Sequence, residues 1–191
     1  MTTARRLDGY TLDDWEAVDP VEGHRVELVG GQFRVSAAPS VPHQRIADRL
    51  QNLLDDAVAD DGMEAVTAVG VRVAPGIGYI PDVVVCTELV DTTTVDVGLV
   101  ALVVEVVSPS TAKADRLEKP SAFAAAGVPA YWRVETGREG GPVVYCYRLD
   151  RGTYVETATL TPGTTATVDV AGTASITLDP ASLIGPRRRR S

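Results

Sequence analysis

One stretch of the sequence limits the fold more than any other. Residues 99–107 read LVALVVEVV, so they are apolar on both faces of a strand apart from Glu105. A strand of this kind belongs in the middle of a sheet that is covered on both sides. An ionised carboxylate buried there without a partner either destabilises the fold or takes up a proton. The stretch therefore predicts a layered fold and a compensating partner for Glu105.

A second carboxylate opens another apolar stretch. Asp82 follows Pro81 and precedes three valines at 83–85. Taken alone, an acid after a proline is common turn chemistry. If the two stretches are adjacent strands, however, Asp82 lies beside Glu105, and two carboxylates that share a site need a proton or a divalent cation between them. The pair therefore suggests a metal site.

The rest of the chain predicts helices and strands in mixed order. Thr11 and Asp14 have the spacing of a helix capping box. The predicted elements are a helix at 11–20, a hairpin at 25–36, a helix between 42 and 62, strands at 65–74, 82–86 and 99–107, a helix at 108–126, a strand at 130–134, and strands at 143–149, 153–160 and 164–178. The turn at 75–78 is expected to join the 65–74 strand to the Asp82 strand as a hairpin. This order predicts an α/β (α+β) fold, with a mixed β-sheet flanked by helices and a C-terminal β-meander.

The length and the charge limit the classes of function. A chain of 191 residues fits one domain, expected at 1–186, followed by a basic tail at 187–191. Without Arg187–Arg190 the chain has 14 basic against 26 acidic residues, a balance of −12. A negative net charge does not attract the negatively charged phosphates of nucleic acid. A phosphate-binding role must therefore use a local basic patch and a bound metal, and the tail itself is interpreted as a solvated end.

Other observations predict a cytoplasmic protein. No apolar stretch approaches the ~20 residues that span a bilayer, and the N-terminus lacks an apolar signal core. Cys86 and Cys146 lie in apolar stretches and are expected to be reduced and buried. Two Cys and two His without ligand spacing do not support a zinc site.

Five further polar residues complete the candidate site: Glu27, His43, Ser108, Asp115 and Lys119. Each also has a simpler interpretation. Glu27 alone, on the hairpin, is typical of a surface residue. Asp115 and Lys119 are spaced as a helix ion pair, which contributes only ~0.3 kcal/mol. His43 alone is typical of a helix cap or a packing residue, and Ser108 of a turn.

The order of these residues resembles the Uma2 family of endonucleases, a branch of the PD-(D/E)xK nuclease superfamily. The fragments that carry the resemblance are YTLDDW at 10–15, RVELVGG at 25–31, APSVPH at 38–43, PDV at 81–83, VEVVSPS at 104–110, DRLEK at 115–119 and AGVPAYW at 126–132. Together they cover most of the chain up to Val134. The resemblance implies a restriction-endonuclease-like core and hydrolysis of DNA phosphodiester bonds by a metal-activated water.

The resemblance also implies roles for individual residues. The implied ligands of Mg²⁺ or Mn²⁺ are Asp82 and Glu105, with Glu27 completing or tuning the site. In the wider superfamily a lysine lies two residues after the second acid, where this chain has Val107. The Uma2-like pattern takes the lysine from the following helix, so Lys119 takes the role and Asp115 orients it. Pro120 follows Lys119 directly, so a kink is expected there.

Two other functions remain open from the sequence. The same fold could serve as a binding module, with its sheet edge or its C-terminal meander used for homodimerisation or for a partner protein. A metal hydrolase of small phosphate esters would tolerate the acidic surface better than a DNA-binding enzyme. Metal binding with or without cleavage of DNA discriminates between these functions.

Overall fold

The computed structural model describes residues 8–137 and 141–185, so the arginine tail predicted at 187–191 lies outside the described residues. The helices are α1 (Leu12–Glu16), α2 (Val41–Val58) and α3 (Lys119–Ala125), with a π-helical turn at Ala114–Glu118 and 3₁₀ turns at Ala59–Asp61, Val97–Leu99 and Pro180–Ile184. The strands are β1 (His24–Val29), β2 (Gln32–Ala37), β3 (Glu64–Thr67), β4 (Gly70–Ala74), β5 (Ile77–Tyr79), β6 (Val83–Cys86), β7 (Thr94–Asp96), β8 (Val100–Val107), β9 (Ala130–Gly137), β10 (Gly141–Asp150), β11 (Thr153–Leu160), β12 (Ala166–Val170) and β13 (Ala174–Leu178).

The strands form a mixed six-stranded sheet, a five-stranded sheet and a hairpin. The six-stranded sheet has the order β11-β10-β9-β8-β6-β3, and the five-stranded sheet has the order β2-β1-β5-β4-β7. Strand β8 is antiparallel to β6 and parallel to β9, and all its residues are buried. The prediction of a central strand that carries Glu105 is therefore confirmed, as is the mixed sheet flanked by helices.

Two apolar cores explain why β8 is apolar on both faces. On one face Val104 packs in a core with Leu50 of α2 and Ile176 of β13. On the other face Val103 packs in a core with Val71 of β4 and Phe123 of α3. The six-stranded sheet is therefore the middle layer of the fold, and Glu105 lies within that layer.

Four details differ from the sequence prediction. The 65–74 stretch is two strands, because Ala68 takes a left-handed φ of 57° and sends the chain from one sheet to the other. The turn at 75–78 therefore joins β4 to β5, whereas the Asp82 strand, β6, pairs with β3. The 164–178 stretch leaves the meander β9-β10-β11 and forms its own hairpin, β12–β13, because its buried residues turn toward α2. Helix α1 ends at Glu16, before the predicted Pro20.

The capping box at α1 forms as predicted, and Trp15 of the same helix contacts the five-stranded sheet. The Asp14 N–H donates to Thr11 Oγ1 at 3.1 Å, and the Thr11 N–H donates to Asp14 Oδ2 at 2.9 Å. One turn later, Trp15 Nε1 donates to the Val26 carbonyl at 2.8 Å. The indole ring lies directly over Gly78 of β5, where an added Cβ would overlap the ring.

We expect Gly78→Ala to destabilise the protein, because the buried Trp15 ring cannot move away without breaking its hydrogen bond to β1. Overpacking of this kind costs about 1–3 kcal/mol. Urea unfolding measures the change. Gly98→Ala is the matched control, since a Cβ at Gly98 meets nothing within 4 Å. Equal stability of the two variants would show that the ring is not fixed over β5.

Two general features complete the fold. Cys86 and Cys146 are buried and are not joined by a disulfide, which agrees with the expectation of two free thiols. A search of the described residues finds no helix whose length and apolarity suit a membrane crossing.

Candidate active site

The buried charged side chains lie together in one cluster. In the described part of the chain they are Glu27, Asp82, Glu105, Asp115 and Lys119, each 5% exposed or less. All five belong to the set proposed from the sequence. They come from four separate stretches of the chain, so the fold itself brings them together. Charged groups are seldom buried unless they are paired or functional.

The pairing of β6 with β8 sets Asp82 against Glu105. Val83 is opposite Val104 in this antiparallel pair, and the same register continued by one residue brings Asp82 opposite Glu105. The Val106 N–H donates to Asp82 Oδ2 at 2.8 Å. The two carboxylates therefore meet at the end of β6, on the face that is turned toward the five-stranded sheet.

The ammonium group of Lys119 lies among three carboxylates. Its Nζ is 2.8 Å from Glu105 Oε1, 3.0 Å from Glu27 Oε1 and 3.7 Å from Asp115 Oδ1. The Ile80 N–H also donates to Glu27 Oε1, at 3.1 Å. Lys119 thus joins α3 to β8 and to β1, and it is the counter-ion that allows these acids to be buried.

A π-helical turn leads into Lys119. It covers Ala114–Glu118, immediately before α3. Pro120 lies in the first turn of α3 and has no backbone N–H to donate to the carbonyls of the preceding turn. The expected irregularity beside Pro120 therefore takes the form of a wider helical turn. The Tyr131 hydroxyl donates to the Asp115 carbonyl at 2.7 Å and fixes this turn to β9. Single π turns are frequent at functional sites.

The sequence interpretation missed Arg25. Its NH1 lies 3.1 Å from Asp82 Oδ1, and His43 Nε2 lies 2.8 Å from Asp82 Oδ2. Both side chains keep some exposure, 18% for Arg25 and 12% for His43, so they form the solvent side of the cluster. The available signal was that Arg25 and Glu27 share one face of β1.

Ser108 lies in the turn that precedes the π segment. Its Oγ is 3.0 Å from Ser110 Oγ and 2.9 Å from Thr111 Oγ1. These contacts organise the chain between β8 and the π-helical turn. The simpler interpretation of Ser108, a turn residue, describes its hydrogen bonds, whereas His43 reaches the cluster directly.

Burial and charge act differently on the clustered groups. Burial raises the pKa of Glu105 well above its usual value, against the effect of Lys119, and burial also raises the pKa of Asp115. Burial disfavours charge on Lys119, but the surrounding carboxylates outweigh it and raise its pKa. Burial likewise opposes ionisation of Asp82, yet His43, Arg25 and the Val106 N–H hold its pKa below the usual value. The surroundings therefore favour the charged forms of Lys119 and Asp82 and the protonated form of Glu105.

Two carboxylates of the cluster are suited to bind a divalent cation. Within residues 8–137 and 141–185, no three His, Cys, Asp or Glu side chains converge as a ready-made metal site. Lys119 and Arg25 contact oxygens of the clustered carboxylates. Mg²⁺, however, usually takes only one or two protein carboxylates and completes its shell with water and phosphate. Asp82 and Glu105, facing each other with hard oxygen donors, meet that requirement.

Three buried side-chain atoms in the described residues lack a hydrogen-bond partner: His43 Nε2, Asp115 Oδ1 and Arg133 Nε. His43 Nε2 lies 2.8 Å from Asp82 Oδ2, but the two groups are not aligned as a hydrogen bond. Asp115 Oδ1 lies 3.7 Å from Lys119 Nζ. Unsatisfied buried groups in a native fold call for an explanation. Their position at and beside the cluster is consistent with a ligand that they would contact.

A groove leads from solvent to the cluster. It has a volume of about 860 Å³ and lies between α1, β1 and the first turns of α2. Arg25, His43 and Asp82 line it, whereas Glu105 and Lys119 do not. A substrate in the groove would therefore meet the Asp82 side of the cluster first. Pockets of this size hold extended ligands.

Comparisons with known proteins give a family for the sequence and a neighbour for the fold. The sequence matches the Uma2 family, described as "Putative restriction endonuclease", over residues 11–179. The structure is similar to the crystal structure of a "putative nuclease belonging to DUF820" from Anabaena variabilis, with a TM-score of 0.68 and 16% sequence identity over 91% of this chain and 97% of that chain. At this identity the likeness concerns the fold. A comparison with curated proteins finds no match.

Proposed function

Because the chain belongs to the Uma2 family, we propose that it is an endonuclease that hydrolyses phosphodiester bonds of DNA and depends on Mg²⁺ or Mn²⁺. The observation that carries the proposal is the burial of four carboxylates and one lysine at a single point of the fold, beside a groove that is open to solvent. Perturbed ionisable groups that gather beside a cleft are typical of active sites.

Asp82 and Glu105 would hold the cation, and Glu27 would complete or tune the site. Their oxygens are hard donors, which suit Mg²⁺ and Mn²⁺. When bound there, a divalent cation would lower the pKa of a water molecule and neutralise charge on the phosphate. Glu27 also holds Lys119 through its Oε1, so it acts on both parts of the site.

Lys119 would position the attacking water or balance the charge that builds on the phosphate. It stays protonated because three carboxylates surround it, and a fixed positive charge is effective in a site that excludes water. Asp115, one turn earlier, would keep the ammonium group directed at Glu105. Arg25 and His43 face the groove, where their N–H groups would bind the phosphate of an incoming strand.

We expect the purified protein to nick supercoiled plasmid in Mg²⁺ or Mn²⁺ and to lose this activity in EDTA. Asp82→Asn should lower the rate by about 100-fold or more, since an amide oxygen carries no charge to bind the cation. Gel electrophoresis of the plasmid measures the rate. Asp60→Asn removes an exposed acid from a 3₁₀ turn and is the matched control. Nicking that survives EDTA or Asp82→Asn would contradict the proposal.

One observation favours a second candidate, a binding or dimerisation module with weak metal affinity. Lys119 and Arg25 already contact one oxygen of each of the four buried carboxylates without a cation. Metal binding without nicking would support this candidate. Hydrolysis of a small phosphodiester without cleavage of plasmid would instead support a phosphate-ester hydrolase, which the acidic composition would tolerate.

A further inference from the structure

A second concave site lies beside the cluster and is made of arginine and tyrosine side chains. It is a cleft of about 320 Å³ between α3 and the β10–β11 hairpin, with β9 as its floor. We call it the tyrosine–arginine cleft and define it by the side chains that the argument uses: Arg116, Tyr131, Arg133, Tyr147 and Tyr154. None of these residues belongs to the carboxylate cluster.

The cleft adjoins the candidate active site through β8 and β9. Glu105 and Arg133 are register partners in this parallel pair, so their Cα atoms lie about 4.8 Å apart and their side chains leave the same face of the sheet. Arg116 follows Asp115 in the π-helical turn, and Tyr131 donates its hydroxyl hydrogen to the Asp115 carbonyl. The cleft therefore lies one strand away from the strand that carries Glu105.

Aromatic rings and guanidinium groups alternate in this region. The Arg133 Cζ lies 4.8 Å from the ring centre of Tyr145 and 5.4 Å from that of Tyr147. The rings of Tyr131 and Tyr154 stack at 5.5 Å. Tyr147 and Tyr154 are only partly buried, so both present ring surface at the cleft. Such a surface favours flat aromatic ligands, because stacking on rings and guanidinium planes stabilises them.

The charged side chains that line the cleft, Arg116 and Arg133, are both basic, whereas the protein as a whole is acidic. Arg116 binds Glu135 through two contacts, Nε at 2.8 Å and NH2 at 2.6 Å. Arg133 Nε is 3.0 Å from Glu135 Oε1 but is not aligned with it, and it remains a buried donor without a hydrogen-bond partner. Two guanidinium groups share one carboxylate, which leaves one positive charge and one unsatisfied donor. The ligand should therefore be an anion that accepts hydrogen bonds.

We propose that the tyrosine–arginine cleft binds one unpaired nucleotide of the strand held at the neighbouring site. The base would stack on the tyrosines, and the phosphate would bind Arg133 and Arg116. The volume lies at the lower end of the range for ligand pockets, which suits a single nucleotide and excludes a duplex. Recognition by stacking is typical of single-stranded nucleic acid. The identity of the polymer rests on the proposed function, whereas the cleft itself does not.

The test measures binding without cleavage. The anisotropy of a fluorescein-labelled single-stranded oligodeoxynucleotide is followed in EDTA, so the result is independent of nuclease activity. Arg133→Gln and Tyr147→Ala should each weaken binding by about tenfold. Arg148→Gln is the matched control. Arg148 is the next residue of β10 after Tyr147, but its guanidinium lies against Gly172 on the other side of the strand. Its loss should weaken binding by about twofold or less, the effect of one surface charge.

Further variants separate binding from folding. Tyr147→Phe keeps the ring and should bind like the wild type, and Arg116→Gln changes an exposed rim residue without touching the core. Equal weakening by Arg148→Gln and Arg133→Gln would overturn the proposal, as would wild-type affinity in Arg133→Gln and Tyr147→Ala or the absence of oligonucleotide binding. Plasmid that stays intact in Mg²⁺ while the cleft variants lose oligonucleotide binding would refute the nuclease and leave the cleft established.

Discussion

Replacing Lys119 with methionine is expected to lower the free energy of unfolding by about 3–5 kcal/mol and to abolish plasmid nicking. Methionine keeps most of the side-chain volume, so the change isolates the charge. Without the ammonium group, Glu27, Glu105 and Asp115 would be buried together with no cation among them. Urea unfolding measures the stability, and the plasmid assay measures the activity.

The chain offers a closely matched control for this substitution. It has only two lysines, and the other one, Lys113, lies six residues earlier and is 81% exposed, with a 3.4 Å contact to Glu118. Lys113→Met should change stability by only about 0.5 kcal/mol and leave nicking intact. A similar loss of stability in both variants would show that Lys119 does not compensate the buried acids.

A double variant separates folding from catalysis. Adding Glu105→Gln to Lys119→Met removes one of the uncompensated carboxylates, so part of the lost stability should return. Residues in direct contact are expected to be energetically coupled in this way. Activity should stay absent, because both a cation ligand and the lysine are gone. Recovery of nicking in the double variant would contradict the role proposed for Lys119.

Glu105→Gln alone is expected to abolish binding of Mn²⁺ while the fold stays as stable as the wild type or becomes more stable. The amide keeps the shape of the side chain but removes a ligand charge. We expect affinity to fall by more than about 100-fold, since even outer-shell changes cost 10–100-fold. Lys119 keeps Glu27 and Asp115 as partners. Calorimetric titration with Mn²⁺ and thermal unfolding in EDTA measure the two effects.

The stability effect should depend on pH in a defined direction. Because the folded pKa of Glu105 lies above its ordinary value of 4.5, this group favours the fold at low pH, and the advantage is lost as pH rises toward the folded pKa. Glutamine does not titrate. The gain in stability of Glu105→Gln over the wild type should therefore grow as pH rises from about 4.5 toward neutrality. Glu22→Gln, at an exposed position, should give no such trend. A gain that shrinks with pH would contradict the burial of an ionisable acid.

The central strand could be predicted because its residues carry the information locally. An apolar stretch with one glutamate identifies both the middle of the sheet and a carboxylate that needs a partner. The apolar face of α2, which carries Ile46, Leu50 and Leu54, is an equally local signal, as is the capping box at Thr11. Lys119 entered the candidate site through the family resemblance, since its spacing from Asp115 alone indicates an ordinary helix ion pair.

The parts that escaped prediction depend on how distant elements pack. Arg25 and Asp82 are 57 residues apart, and their contact exists only because β1 crosses near the end of β6. The assignment of β4 to the second sheet depends on Ala68, which takes a left-handed φ without the glycine that usually signals one. The tyrosine–arginine cleft likewise forms where α3 meets a hairpin that begins 16 residues after the helix ends.

The position of Lys119 links the activity of the protein to its abundance in the cell. The proposed chemistry and the folded state depend on the same ammonium group. A mutation that removes it would therefore yield not an inert, long-lived copy but a chain with a larger unfolded fraction. Chaperones and proteases continuously remove such chains, and a loss of stability of this size reduces abundance several-fold or more. A mutation of Lys119 would therefore lower the amount of the protein in the cell as well as its activity.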